Sequence, residues 1–591
     1  MGLLAMIPQA HLWAVRGHNW QGTYAIHQAD EPAYFNYLNA LALGRPRRFD
    51  PYTGRGDVPA APLPESLFSI QFIPAYTAAI PARVFKLSGS TVFIALPFLT
   101  AFFSTLIISR LFYAVTGDDG LAATGALWVL CFGSLVRLQR LAFLFGGLST
   151  PDLYMPFLRR SVPAVPFPLF FLLCLAVWCA LTSERPRARF YAAFGAGLIF
   201  ACLVFSYYFL WTAAAAWLVC LALLWLFARA SDRPRALRAF GVIALLAGVS
   251  LSGYALLLTH RAPTMDTVQI LEFTRLPDLS RPLEWLDLGI IGALLIMAKR
   301  GRVCLSARAT LFAFSFALTP LVVFNQQIVT GRSLQPSHYE IFIANYLTLI
   351  ALFLTLWLTW RGRRTTTLPL VLASRRGVRR FLLIGLAFVA LAWGMREMYV
   401  VSVRYLKTAV ARDEAQPVAR RLAELARAAP GSTAAQVVFD NTGQADTVVG
   451  VASLPVLWAP HMIMFSGVTS TEHKERFYQQ LYYSGINAQD FAELVNRPSY
   501  VWLHLFGWGR SMQGMSRGSS PITPTEKDAE IRSYTDYINS FDRERAARPM
   551  ISYLVVGMKE ERVVLNFDRW YERDAGERVG NYTIYRVGLR P

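Results

Sequence analysis

The sequence predicts a multispanning α-helical membrane protein, with about 10–11 transmembrane helices, carrying a C-terminal extracytoplasmic α/β domain. Three observations predict it. Hydrophobic residues make up 54% of the 591 residues and charged residues only 16%, against about 25% charged in soluble chains. The apolar residues are gathered into runs long enough to cross a bilayer, at ~20 residues per crossing. Beyond residue 400 the runs stop and the chain turns polar. A net charge of +20 would suggest nucleic acid in a soluble chain. Here many arginines sit in short loops between apolar runs, where orientation in a bilayer requires them, so no nucleic-acid partner is expected.

Residues 1–400 are expected to form the membrane domain and residues 401–591 the soluble one. The opening MGLLAMIP is too short to span, and no basic flank marks it as a signal peptide. It reads as the tail of a first helix. Residues 25–66 form a polar, Pro/Gly-rich external loop. Within it Tyr34, Tyr37, Leu38 and Leu41 recur at helical spacing and Gly44 stops the run. This is expected to be a short amphipathic helix on the membrane surface, with Asp30 and Glu31 at its head. The same spacing also suits a plain capping role for Asp30.

Leu67–Leu87 carries Pro74, Pro81 and Arg83 and is expected to lie partly in the interface. Spans are expected at about Thr91–Phe112, Leu121–Val136 and Pro163–Leu181. Phe190–Ala228 holds no charged residue and, as one helix, would be about twice the hydrocarbon thickness. It must cross twice, turning near Ser206–Tyr208. Further spans are expected at about Ala239–Leu258, Leu286–Ala298, Thr310–Val329, Ile341–Trp360 and Phe381–Met395. The arginines flanking Phe190–Ala228 put that side in the cytoplasm. The loops 25–66, 137–162, 259–283 and 330–340 then fall outside, with everything after residue 400.

In the C-terminal part a helix is expected near Glu414–Ala428, with helical patterns at 471–483 and 524–544. Strand-like runs occur at 434–441, 462–465, 500–506, 551–558, 563–567 and 582–587. Gly443, Gly450 and Gly467 do not match a dinucleotide fingerprint. The six cysteines lie in or beside apolar runs without a CxxC pair, so neither disulfides nor zinc of that type are expected. No GxSxG elbow or clear triad marks the C-terminal domain as a hydrolase.

The spans hold almost no charge at mid-depth, which argues against ion-coupled transport and moves the chemistry to the outer interface. By this topology all eight histidines lie outside, His27, His338 and His461 among them. A scatter of histidines over wet surface explains that equally well. An enzyme there needs a carboxylate to activate an acceptor and arginines for a leaving phosphate. Asp30 and the pair Arg159–Arg160 suit those tasks, since a guanidinium fork binds two oxygens at once.

The Asp30-Glu31 pair, the aromatic-rich stretch Tyr34 to Gly44 and Asp50-Pro51-Tyr52 resemble the GT-C superfamily of multispanning glycosyltransferases. The many spans and the outside C-terminal domain are similar to its protein-mannosyl and lipid A aminoarabinose transferases. The resemblance implies a sugar donor linked to a polyprenyl phosphate and a glycan, lipid or protein acceptor. It also implies a bilayer partner, a plasma (inner) membrane location and an active site on the extracytoplasmic face. Asp30 takes the place of the family's first-loop acid. Asp152 is the nearest match to a second acid in a later loop, although TPDLYMPF around it departs from the pattern. Arg159, Arg160 and Arg332 would hold the phosphate, with His338 and Tyr339 clustered beside Arg332. Glu31 would cap the helix or, in metal-using relatives, help to hold a divalent metal ion. The chain departs from the family in lacking a visible first span. A second reading, a lipid-linked glycan scramblase or an assembly scaffold, uses the same uncharged spans without catalysis.

Overall fold

A computed structural model of the chain describes residues 1–137, 155–269, 271–362, 372–428, 436–497, 500–511, 521–558 and 565–591. Two compact units emerge. The first comprises Met1–Ala10, Ile94–Leu256 and Phe273–Arg404, the second His11–Phe93, Leu257–Glu272 and Tyr405–Pro591. The division does not follow chain order: residues 25–66 belong with the C-terminal residues.

The first unit is helical. Among the described residues seven helices are long and apolar enough to cross a membrane: Gly89–Thr116, Pro186–Val204, Tyr208–Ala228, Ala230–Thr259, Arg308–Thr330, Pro336–Arg361 and Gly377–Arg404. The chain is a multi-pass membrane protein. Among the described residues these seven are fewer than the ten or eleven spans expected, for local reasons. Asp119–Phe132 and Pro166–Thr182 are apolar but shorter. The first ends at Gly133, where a side chain would run into the Tyr346 ring at 2.9 Å; the second starts on Pro166. Pro282–Lys299 carries Glu284, Asp287 and Lys299.

The uncharged run does break where its length demanded, between helices ending at Val204 and starting at Tyr208. Inside the unit Trp217 stacks on Phe316 with ring centroids 5.5 Å apart, and its Nε1 donates to Ser315 Oγ at 3.0 Å. That bond satisfies the indole N–H in a dry interior. Leu245, Val249, Phe381 and Phe388 are exposed, as lipid-facing positions on spanning helices are.

The second unit is built on a five-stranded mixed sheet. Val437–Asp440 pairs in parallel with Ile551–Gly557, which pairs antiparallel with Tyr582–Leu589; Tyr571–Arg573 and Glu577–Val579 both pair with that last strand. Phe439, Leu554, Val556 and Phe567 form its core with Tyr483 and Tyr571. The helices Leu406–Ala428, Ser470–Tyr483 and Pro524–Asn539 occupy the expected places. Two expected strands are helical instead. Met462–Met464 is a 3-10 turn and Val501–Leu505 a short helix, because short apolar runs carry no period that separates strand from buried helix. In the run 563–567, Leu565–Asp568 is a helical turn and 563–564 lie outside the described residues.

The expected surface helix exists as Glu31–Ala42, but it does not lie bare on a membrane. Ten of its residues are buried, from Glu31 through Leu41. It packs against helix Ala445–Ala452, where Gly450 allows the close approach. A side chain at Gly450 would meet Phe35 Cδ1 at 2.8 Å and the Asn36 carboxamide. Asn39 Nδ2 also donates to the Gly450 carbonyl at 2.6 Å. Gly450→Ala is therefore expected to destabilise this unit by about 1–3 kcal/mol through overpacking. Chemical-denaturant unfolding of the purified chain measures it; an unchanged midpoint contradicts the close helix contact.

Candidate functional site

The Asp30 site is assembled within the second unit. Asp30 precedes the Glu31–Ala42 helix as its N-cap residue, yet its carboxylate does not cap that helix. It accepts instead from Gln28 Nε2 at 3.1 Å, while Gln28 Oε1 accepts from the Asp30 backbone N–H at 2.9 Å. The capping alternative is thereby set aside. Glu31 is fully buried; its Oε2 accepts from the His27 backbone N–H at 3.0 Å and its Oε1 lies 3.8 Å from His27 Nδ1.

The following loop is tied down by its own polar residues. Buried Asp50 uses Oδ1 to accept from the backbone N–H of Tyr52 (2.8 Å) and Thr53 (3.3 Å), an Asx turn that Gly54 closes at φ +70°. Arg47 forms a two-pronged bridge to Glu65, both contacts 2.6 Å. Arg55 does the same to Glu472 at 2.7 and 2.8 Å. Burial opposes the charge on Glu472, but Arg55 and Arg476 outweigh it and hold the carboxyl below its usual range.

Four residues complete the site. Tyr52 OH donates to Asp446 Oδ1 at 2.6 Å and accepts from Asn36 Nδ2 at 3.0 Å. Asp446 Oδ2 lies 2.9 Å from His461 Nδ1. Burial works against the charged imidazolium, but Asp446 and then Asp30 overcome it, so His461 titrates above its ordinary value. The same pairing holds Asp446 below its ordinary value despite burial. Arg412 is 5% exposed and lies over the Tyr24 ring, 4.7 Å from the centroid, with Nη2 donating to Tyr24 OH at 3.0 Å. Its Nε and Nη1 are buried without a hydrogen-bond partner among the described residues. Burial of a guanidinium favours an anion nearby, and the charge of Arg412 helps to hold Asp446 below its ordinary value.

Arg159, Arg160, Arg332, His338 and Tyr339 fall in the first unit. Arg159 and Arg160 are 4% and 1% exposed. Arg159 lies over the Phe342 ring at 5.5 Å, and the His338 ring sits 5.2 Å from the same ring, so the fold brings these two together. Tyr339 OH shares a 2.8 Å hydrogen bond with Thr212 Oγ1 and accepts from Gln326 Nε2 at 3.3 Å. Arg332 does not join them; it is exposed and lies over Phe273 at 5.7 Å. Asp152 lies outside the described residues. Among the described residues no three His, Cys, Asp or Glu side chains form a metal-ligand set. Glu31, the residue expected to help hold a metal, is already engaged by His27, so no step below runs through a metal ion.

His461 was one histidine among eight in the sequence, and nothing there marked Asp446 or Arg412. Asp446 reads as an ordinary first-turn acid of its helix and Arg412 as one of many arginines. Tyr52 and Asn36 belonged to the stretch that carried the family resemblance, without a role of their own.

A second buried histidine pair lies elsewhere in this unit. His473 Nε2 accepts from Trp458 Nε1 at 3.2 Å, and the His473 and His504 rings are 5.7 Å apart. Burial depresses His473 to about 4, aided by Arg476, and His504 to about 3, aided by His473 and His461. The unfolded chain takes up these protons near pH 6.5 and the folded chain does not. Stability is therefore fully present above pH 6.5 and is lost as the pH falls, by about 1.4 kcal/mol per pH unit per histidine. Thermal unfolding between pH 7 and 5 should show this slope. His504→Leu should roughly halve it, and a variant as steep as the wild type contradicts the assignment.

No family model matches the chain, and no curated protein matches it. Solved structures of an oligosaccharyltransferase and of ArnT align with nearly the full chain. The oligosaccharyltransferase of Archaeoglobus fulgidus in its apo form is 11% identical, with 94% of this chain and 69% of that one covered and a TM-score of 0.42. ArnT from Cupriavidus metallidurans, bound to undecaprenyl phosphate, is 10% identical, with 98% and 97% covered and a TM-score of 0.45. The Archaeoglobus enzyme AglB, in complex with an inhibitory peptide and a dolichol-phosphate, is 10% identical, with 99% and 73% covered and a TM-score of 0.45. At such values residue roles rest on this chain's own side chains.

Proposed function

We propose that the chain is an inverting membrane glycosyltransferase that moves a sugar from a polyprenyl-phosphate donor to an acceptor hydroxyl or amide at the extracytoplasmic face. The observation that carries this reading is the Asp30 carboxylate, uncommitted to capping, in one unit with a buried arginine whose Nε and Nη1 have no partner among the described residues. The reaction needs those two parts. A carboxylate takes or orients the acceptor proton, so that the acceptor atom attacks the anomeric carbon. The bond from that carbon to the phosphate oxygen breaks, and the electron pair leaves with the phosphate. A cation must meet the charge that grows there.

Arg412 suits that task better than the arginines expected from the sequence. Arg159 lies over the Phe342 ring and Arg332 is exposed, whereas Arg412 keeps two buried nitrogens without a hydrogen-bond partner among the described residues. The buried Arg159–Arg160 pair, in the first unit with His338 and Tyr339, is the second proposed holder of a phosphate.

The test uses the full chain in liposomes with a panel of undecaprenyl-phosphate hexoses and pentoses, each labelled in the sugar. Bacterial membrane lipids, glycans and peptides serve as acceptors. At least one donor is expected to lose label to an acceptor and release undecaprenyl phosphate. Intact donors throughout, with lipid-linked label crossing the bilayer instead, would contradict transfer and favour a scramblase.

A further inference from the structure

The Asp30 helix, the loop after it and the distant C-terminal part meet at Asn36, midway along that helix. Asn36 lies on that helix, Tyr52 in the loop after it, and Asp446 and His461 in the C-terminal part. The chain of contacts is continuous: Asn36 Nδ2 to Tyr52 OH at 3.0 Å, Tyr52 OH to Asp446 Oδ1 at 2.6 Å, Asp446 Oδ2 to His461 Nδ1 at 2.9 Å. The Tyr52 backbone is held as well, its carbonyl accepting from the Val456 N–H at 2.9 Å. Each member is buried or nearly so, with Asn36 at 1%, Tyr52 at 0% and His461 at 8% exposed. Solvent therefore competes little for any of these bonds.

We propose that His461, gripped by Asp446, is a positioning residue that fixes the Asp30 turn and its helix through the Tyr52–Asn36 chain. The inference rests on the reading of Asp30 as the acceptor-activating group. Asp446 turns one oxygen to Tyr52 and the other to His461. An imidazolium makes its half of that grip a charge-assisted bond, stronger than a neutral one. The charged and titratable groups that act on His461 are Asp446 and Asp30, which favour its protonation, Arg412, which opposes it, and His504, which it depresses in turn. Raising the pH through the titration of His461 is expected to weaken the grip and free the helix.

Hydrogen exchange on the full chain in nanodiscs reads this directly. Peptides covering residues 28–44 are followed from pH 6 to 9, with rates corrected for intrinsic chemistry. In the wild type their protection should fall above pH 6.5. His461→Gln should exchange about tenfold faster at pH 6.5, the loss of one bond to a charged group, and should show no pH step. Tyr52→Phe keeps the ring, removes only the phenol, and should behave alike. A purely structural role would change protection without removing the pH step. Identical pH profiles in wild type and His461→Gln would overturn the proposal, whatever their absolute rates. If the wild type cleaves no labelled donor, the glycosyl-transfer reading fails while exchange still decides on His461. Where a donor is cleaved, His461→Gln should also lose the alkaline limb of the pH–rate profile.

Discussion

Asp30→Asn should lower sugar transfer by about 10²–10⁴-fold, the range of a lost general base, while the protein still inserts and folds. Asn keeps the shape of the side chain and its hydrogen bond with Gln28, because a carboxamide oxygen accepts as the Asp30 carboxylate does from Gln28 Nε2. What it loses is the ability to take a proton. The loss should therefore appear in kcat with KM nearly unchanged, as for an interaction made in the transition state. A donor known to be cleaved by the wild type is the substrate for this assay. Transfer at the wild-type rate would remove Asp30 from the chemistry.

Arg412→Gln should cost about 10²–10³-fold in kcat, the effect of removing one preorganised donor from a developing charge. Its cause is electrostatic and differs from that of Asp30. Arg412 spends Nη2 on Tyr24 OH and stacks over that ring, while Nε and Nη1 have no hydrogen-bond partner among the described residues. Arg412→Lys keeps a charge but loses the planar stack on Tyr24, so it should recover only part of the rate. A full recovery would make Arg412 a point charge rather than a directed donor. An Arg412→Gln variant with unchanged kcat and lower thermal stability would make it a packing residue alone.

The sequence made the membrane part legible because its signal is local. Apolar length alone located the break before Tyr208, since no single helix could be as long as Phe190–Ala228. Gly44 ended the first-loop helix as expected, at φ +83°. The fate of that helix was not legible. Its spacing suited a membrane surface, but the residues that bury it, such as Gly450, lie hundreds of positions away. The runs at 462–465 and 500–506 were misread because four to seven apolar residues fit either a strand or a buried helical turn.

The same reason hid most of the site. Asp30 stood out through its neighbours in sequence. Tyr52 and Asp446 are 394 positions apart and Arg412 and Tyr24 are 388 apart, so no spacing pattern could join them. Arg159 and Arg160 were expected to hold the phosphate, and the fold buries both, with Arg159 over the Phe342 ring. Net positive charge offered too many arginines to choose among, and burial with two nitrogens unpartnered among the described residues singled out Arg412.

The account depends most on the first external loop and the C-terminal residues forming one unit on one side of the membrane. Single cysteines at two exposed positions, Ala60→Cys and Asn539→Cys, test it in a chain whose six native cysteines are replaced. The reagent is a membrane-impermeant maleimide applied to sealed vesicles of known orientation. Both positions are expected to label from the same face, the extracytoplasmic one. Labelling of residue 60 and residue 539 from opposite faces would contradict the Asp30 site and the function built on it.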